Sequence, residues 1–558
     1  MNYLSRAKDP AFWATVRESE VYRPLREKYL ARWEEECENT PPIGIRFSDW
    51  KKFFVTGERI ERNYFGARQQ MMAAAFLSLI YPEEEKYLSR LEDQIYQITN
   101  EYTWAVPAHY RSVLEGTPPK RVIDLFCAET AFALSEIIEL LGDRLHPFIV
   151  RRVKEELEER IVRAMDEVEA FGFESMSNNW SSVCAASVAA VYMLVFPDLF
   201  GKVKPRIDAA MALYLTGYHD DGVCLEGPGY WGYGFGFFTY YADMLYDYTG
   251  GKEDLFLLPK VRNIATFMQK TFLTGSTIVS FSDGGRTGSF NVGLLHYLKR
   301  RFPEDMILLS TEFKTGRDGC ARFAPALREF IWFDEDMYMH PEEGSAEFEF
   351  LGEGAGWYIK RCPSYGFAAK GGHNREPHNH LDVGNFIFAR DGEQLIVDLG
   401  PGAYTKQYFS AERYKTFQAS AWAHSVPYFG EGTQKPGKEY ASTPPVLEGC
   451  RLTMDISGAY GMEELKSLKR SFAMLPDGVR LTDSFDYVGT EVITERFITL
   501  TEPKVDNGSI DLGKCRMEYD PDAATPEIKT EELKNGSICY LIDFELKKGK
   551  DIFTILIK

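Results

Sequence analysis

The sequence predicts a large all-α domain followed by an all-β domain built as an antiparallel sandwich, and three observations carry that prediction. At 558 residues the chain exceeds the roughly 250–300 residues at which a single core stops growing, so at least two domains are expected. Up to about residue 335 apolar residues recur at helical spacing. Beyond it the period falls toward two and the segments shorten. Domains are therefore expected over 1–335 and 336–558.

In the first part, YFGARQQMMAAAFLSLIYP, EEEKYLSRLEDQIYQITNEYTWAV, RVIDLFCAETAFALSEIIELLG and PFIVRRVKEELEERIVRAMDEVEAF each place apolar residues three to four apart. SSVCAASVAAVYMLVF, KVKPRIDAAMALYLTGY, GFFTYYADMLYDYTG and PKVRNIATFMQKTFL continue the series, separated by short Pro, Gly or Asp punctuation. In the second part, YGFAAKGG, GNFIFARDGEQLIVDLG, LKSLKRSFAMLPDGVRLTDSFDYV, EVITERFITL and ICYLIDFELKKGKDIFTILIK read as strands. Turns at Arg390–Asp391–Gly392 and Pro476–Asp477–Gly478 join them as hairpins. With no helices interleaved, short strands of this kind pack as a sandwich.

Composition narrows the function classes. A net charge of −19 disfavours non-specific binding to nucleic acid or to an anionic membrane, so a polyanionic ligand needs a local basic patch. No run of eighteen apolar residues is present, and MNYLSRAKDPAFWATVRESE shows no apolar signal region. The expected location is cytoplasmic, or secreted or periplasmic if a leader has been removed. Nine cysteines with no CxxC pair suggest neither a disulfide framework nor a thiolate zinc site.

Four stretches carry candidate chemistry. In EPHNHLDVGNF, two of only nine histidines, His378 and His380, alternate with Asn379, so on a strand both imidazoles and then Asp382 would share one face. Asp398 ends the next strand and His424 follows later. An imidazole, a carboxylate and a second imidazole would hold one divalent ion, zinc favoured by the nitrogens and manganese admitted by the oxygen. Strand-end capping by the same histidines is the structural alternative. In SMSNNWSS, Ser177, Asn178 and Asn179 precede an apolar helix, which is an N-cap pattern, and a pair of asparagines followed by Trp180 also suits a substrate carboxylate and a sugar face. In LEGPGYWGYGFG, closely spaced glycines are expected to leave Tyr230, Trp231 and Tyr233 on a flexible loop. In FSDGGRTGSF and SAERYKTF, Arg286 and Arg413 are candidate contacts for an acidic substrate, as is Arg375.

In this order SNNW, DGVCLEGPGYWGY, HNHLDVGNF, VDLGPGAY and AHSVP, the chain resembles the heparinase II/III-like polysaccharide lyases over nearly its whole length. The resemblance implies an N-terminal (α/α) toroid of antiparallel helix pairs followed by a C-terminal antiparallel β-sandwich, with the active site in the cleft between them. It implies β-elimination on uronate-containing polysaccharides or oligosaccharides, giving 4,5-unsaturated products. Asn179, with Asn178, would neutralise the uronate carboxylate, Tyr230 would act as base, acid or both, and His378 would transfer protons. His380, Asp398 and His424 would be the metal ligands, with Trp180, Trp231, Tyr233, Arg286 and Arg413 as substrate contacts. Two departures stand out: many relatives carry a histidine where this chain has Trp180, and AHS replaces the usual AHN at residues 423–425. Tyr233 offers a second phenol close to Tyr230.

Two other classes stay open on the residues themselves. A glycoside hydrolase on an α/α toroid would use two carboxylates, such as Asp220 or Asp221 with Glu226, and a metal-dependent hydrolase would use the His/Asp metal site itself on a bound water. A carbohydrate-binding relative would bind without turnover. The expected partner is an acidic polysaccharide or oligosaccharide: hyaluronan, chondroitin, heparan sulfate or alginate.

Overall fold

The computed structural model describes residues 3–57, 61–110, 116–288, 290–309, 318–340, 344, 347–405, 407–410 and 412–558. The helices lie in the first part and the antiparallel sheets in the second. Helical segments form where the spacing puts them: Glu61–Ile80, Glu85–Thr99, Leu125–Leu141, Pro147–Leu157, Asn179–Val195, Phe200–Thr216 and Gly236–Tyr248. Ahead of them Pro10–Glu18, Arg23–Glu36 and Phe47–Thr56 are also helical, beyond the segments expected from periodicity.

The helix Asn179–Val195 is buried on nearly every side, as its unbroken run of small and apolar residues requires. Asn178 caps it by accepting from the Trp180 N–H at 3.1 Å. Two of its buried serines bond to neighbouring backbone, Ser181 donating to Ala210 O at 2.8 Å and Ser182 to Gly234 O at 2.7 Å. Gly234 sits so close that a Cβ there would lie 3.2 Å from the Asn179 Cβ and 2.8 Å from the Tyr214 Oη. That contact seats the segment carrying Tyr230 against the start of the helix.

Among the described residues the second part holds antiparallel sheets of five, eight and four strands and a two-stranded one. The five-stranded sheet is a meander in chain order, Phe348–Gly352, Trp357–Arg361, Gly366–Lys370, Phe386–Arg390 and Glu393–Ile396. Its last hairpin turns at Asp391 and Gly392, both with positive φ (47° and 76°), the conformation that an Asp-Gly pair adopts at least cost. The Pro476–Asp477 turn joins Leu465–Leu475 to Gly478–Tyr487 with Leu475 opposite Gly478.

The boundary near residue 335 separates the two regimes of secondary structure, but the apolar core runs across it. Trp357, Ile359, Ala368, Ile387 and Ala389 of the first sheet belong to the same buried cluster as the helices. At a second crossing point Gly400 has φ +67°, and a Cβ there would lie 2.3 Å from the Gly284 carbonyl oxygen, so only glycine lets the strand end at 398–400 meet the 280–284 turn.

Candidate active site

The HNH segment departs from the strand expected of it. Residues 375–385 form a loop between Gly366–Lys370 and Phe386–Arg390, and His378 has φ +55°. The two imidazoles are thus aimed by loop geometry instead of by strand alternation. Asp382 does not share their face. It forms a fully buried ion pair with Lys370 Nζ at 2.6 and 2.8 Å and closes the base of the loop.

Both histidines converge on Asp283, a residue of the first domain that the sequence reading passed over. Asp283 Oδ2 accepts from His378 Nδ1 at 2.6 Å and from Tyr404 Oη at 3.1 Å. Its Oδ1 accepts from Tyr408 Oη at 2.6 Å, Arg413 Nη2 at 2.9 Å and His380 Nε2 at 3.1 Å. Burial alone would raise this carboxyl, but the hydrogen bonds from His378 and His380 and the Arg413 charge outweigh it and hold Asp283 well below the usual carboxylate range. Because an ionised carboxylate only accepts, each imidazole nitrogen facing it carries the hydrogen. The other nitrogen of each ring is left with a lone pair.

For His378 that nitrogen, Nε2, lies 3.3 Å from Glu226 Oε1. Burial raises the Glu226 carboxyl, and hydrogen bonding from the Asn179 backbone N–H only partly offsets it. Asn179 is buried at the start of its helix and meets Glu226 through that N–H. The Tyr230 ring stacks on His378 with centroids 4.2 Å apart, and its hydroxyl shares a 3.1 Å hydrogen bond with Tyr404. Burial pushes the Tyr230 phenol up, the Tyr404 hydroxyl opposing, so it stays protonated at neutral pH. Asn179, Glu226, His378, Tyr230 and Tyr404 thus form one connected group where the two domains meet.

The other expected contacts fall differently. Trp231 lies in the core with its Nε1 donating to Ile264 O at 2.7 Å, so it does not line a cleft. The flexible loop expected around it is instead the short helix Pro228–Tyr230 running into a π-helical turn, Trp231–Phe235, because the aromatic faces pack inward and override the glycines. Tyr233 donates to Glu129 beneath the Arg322 guanidinium, 4.1 Å from its ring, and is thereby committed. Arg413 faces inward: besides Asp283 it donates to the carbonyls of His378 (3.0 Å) and Asn379 (2.8 Å) and lies over the Tyr408 ring. Arg286 makes no ion pair among the described residues, and its backbone carbonyl accepts from the Ile278 N–H at 3.1 Å. Trp180 stands edge-on to His109, whose Nδ1 is 2.8 Å from Asp124, so an imidazole from another segment lies beside the asparagines.

The carboxylate pair that a hydrolase would need is not assembled. Asp221 accepts from the backbone N–H groups of Val223, Gly354 and Ala355, and Asp220 is an exposed partner of Lys260. Neither faces Glu226.

His380, Asp398 and His424 are fully buried and offer donor atoms within 4.8 Å of one another. The His380 Nδ1 has no hydrogen-bond partner. His424 Nε2 donates to Gln418 O at 3.1 Å, so its Nδ1 carries the lone pair, which accepts from Asn385 Nδ2 at 3.3 Å and lies 3.4 Å from Asp398 Oδ2. Two imidazole lone pairs and a carboxylate oxygen, closed off from water, fit a divalent ion. Arg470 Nη1 donates to the carbonyls of Gly384 (2.8 Å) and Ser425 (2.7 Å), so one guanidinium ties together the loops that carry the two histidines.

No protein-family model and no curated protein matches the sequence. Solved structures do. Heparan sulfate lyase HepC from Pedobacter heparinus aligns at TM-score 0.62 and 12% identity, covering 100% of this chain and 86% of that one. Heparinase III aligns at TM-score 0.62 and 13% identity, covering 98% and 93%. The chondroitin AC lyase of Streptomyces coelicolor A3, in complex with chondroitin sulphate, aligns at 0.60 and 12%, covering 100% and 82%. The fold is that of these lyases.

Proposed function

We propose that this protein is a polysaccharide lyase that cleaves a uronate-containing polysaccharide or oligosaccharide by β-elimination. The observation that carries the reading is the Tyr230–His378 stack, with both rings tied to Asp283 directly or through Tyr404. The glycosaminoglycan lyases that share the fold support it.

In the reaction the C5–H bond of the uronate breaks, a C4–C5 double bond forms, and the C4–O bond breaks with a proton delivered to the leaving oxygen. Asn179 would hydrogen-bond the carboxylate and stabilise the enolate-like intermediate, a contribution of about 3–4 kcal/mol for one well-placed donor. His378, with Nδ1–H held by Asp283, presents Nε2 as the proton acceptor. Tyr230, a phenol kept protonated by burial, is suited to deliver the proton to the leaving oxygen. Because the two rings stack, both proton transfers act from one side of the cleft. Hyaluronan, chondroitin, heparan sulfate and alginate all present the required C5 proton. A panel of these polymers and their oligomers, followed by the ultraviolet absorbance of the unsaturated uronate and by product sizing, tests the reading. Absence of an unsaturated product from every member overturns it.

The ligand set His380, Asp398 and His424 would hold one zinc ion, or manganese, whose chemistry here is to brace the sandwich side of the site. Replacing His380 with alanine is expected to remove the bound metal and lower the unfolding temperature, because ligand binding and folding are coupled. Elemental analysis that finds the metal content unchanged would sink this assignment.

A further inference from the structure

Asp283 belongs to the helical part of the chain, yet all five of its hydrogen-bond donors come from the β-domain. Its backbone neighbour Ser282 holds φ +60°, a left-handed conformation uncommon for serine, and Gly400 is the residue that lets this turn approach. The carboxylate divides its two oxygens between two groups of residues. Oδ1 takes the metal-ligand histidine His380 together with Tyr408 and Arg413, and Oδ2 takes His378 together with Tyr404, the hydroxyl that reaches Tyr230.

We propose that Asp283 is the positioning residue that locks the His380–Asp398–His424 ligand set and the His378–Tyr230 proton-transfer pair into one arrangement across the domain boundary. The inference rests on the lyase reading for the role of His378, and on geometry alone for the coupling. A carboxylate that accepts from a ligating imidazole fixes that ring's tautomer and direction. Here the same carboxylate also fixes the second imidazole, two residues away on a loop whose own backbone is left-handed at His378. An occupied ligand set therefore holds Asp283 in one rotamer, and Asp283 holds His378. A purely structural ion pair would not need both oxygens aimed at imidazoles.

The test is Asp283→Asn, which keeps the shape and removes the charge and one acceptor. Zn²⁺ affinity, measured without substrate by competition with a chromogenic chelator, is expected to fall about 10–100-fold, and kcat by a similar factor with KM held. A third readout needs no turnover: carbethoxylation of His378 by diethyl pyrocarbonate, read by mass spectrometry. In the unaltered protein it should rise when zinc is stripped; in Asp283→Asn it should be high with or without zinc. Labelling of His378 that ignores zinc in the unaltered protein overturns the proposal, as does a kcat loss with unchanged zinc affinity, or a zinc loss with unchanged kcat. Should Asp283→Asn fail to fold, Tyr408→Phe, which deletes the hydroxyl shared by Asp283 and His380, is expected to move the same quantities in the same direction by less. No change in either zinc affinity or labelling then overturns it. If the unaltered protein turns over no uronate, the lyase reading fails, while the zinc and labelling measurements still decide the coupling.

Discussion

Replacing Tyr230 with phenylalanine is expected to lower kcat by about 10²–10⁴-fold, the range that a positioned acid or base contributes. The hydroxyl makes one hydrogen bond, to Tyr404, and the ring keeps its stack on His378 without it, so the variant should fold and melt as the parent does. Substrate affinity should change little, because the hydroxyl acts on the proton in transit and the ring face remains. The neighbouring phenol makes a useful control. Tyr404 donates to Asp283 and accepts from Tyr230, so Tyr404→Phe should be impaired, but less, if Tyr230 is the group that touches substrate. Near-parental turnover by Tyr230→Phe would remove this residue from the mechanism and pass the role to His378 alone.

The second large effect is on stability. Arg470 is fully buried between Asp483 and Glu495, with its Nη2 3.0 Å from Glu495, and its Nη1 spans the loops that carry His380 and His424. Replacing it with methionine leaves two buried carboxylates without their cation and is expected to cost about 3–5 kcal/mol. The pH dependence gives the cause a signature. Burial and the Asp483 charge already raise the Glu495 carboxyl well above its ordinary value even with Arg470 opposing them. Without the arginine it rises further, so the folded state binds more protons than the unfolded one and stability falls as pH rises. Because the parent's carboxyl is itself raised, both proteins lose stability alike above the ordinary carboxylate range, and the deficit should widen only above the raised value that the parent's Glu495 keeps, as read from unfolding midpoints across pH. A deficit equal at all pH values would assign it to lost packing. Because Gly384 and Ser425 lose their shared donor, zinc affinity should fall as well.

Much of the architecture is legible in the chain because its determinants are local. The helix Asn179–Val195 follows from an N-cap asparagine and a run of small apolar residues, and the Phe386–Ile396 hairpin from Asp391–Gly392. The same local reasoning misplaces Trp231. Glycines on both sides suggest mobility, but whether a tryptophan between them is displayed or buried depends on the groove it meets, and here that groove ends at the Ile264 carbonyl. Tyr404 was within reach, as the last residue of VDLGPGAY, but nothing in that stretch says which phenol its hydroxyl meets.

Asp283 lies three residues before Arg286 in FSDGGRTGSF, a stretch that reads as a turn, where the arginine is the charge that suits an acidic substrate. Its partners are His378 and Arg413, 95 and 130 residues further on. Periodicity and turn chemistry act over a few residues and so specify which segments are helices or strands, and in what order the HNH, Asp398 and His424 motifs occur. Which buried carboxylate meets which imidazole is decided by the approach of the 280–284 turn to Gly400 when the domains pack. Sequence spacing carries no register over such distances, and only that contact gives the two histidines a common acceptor.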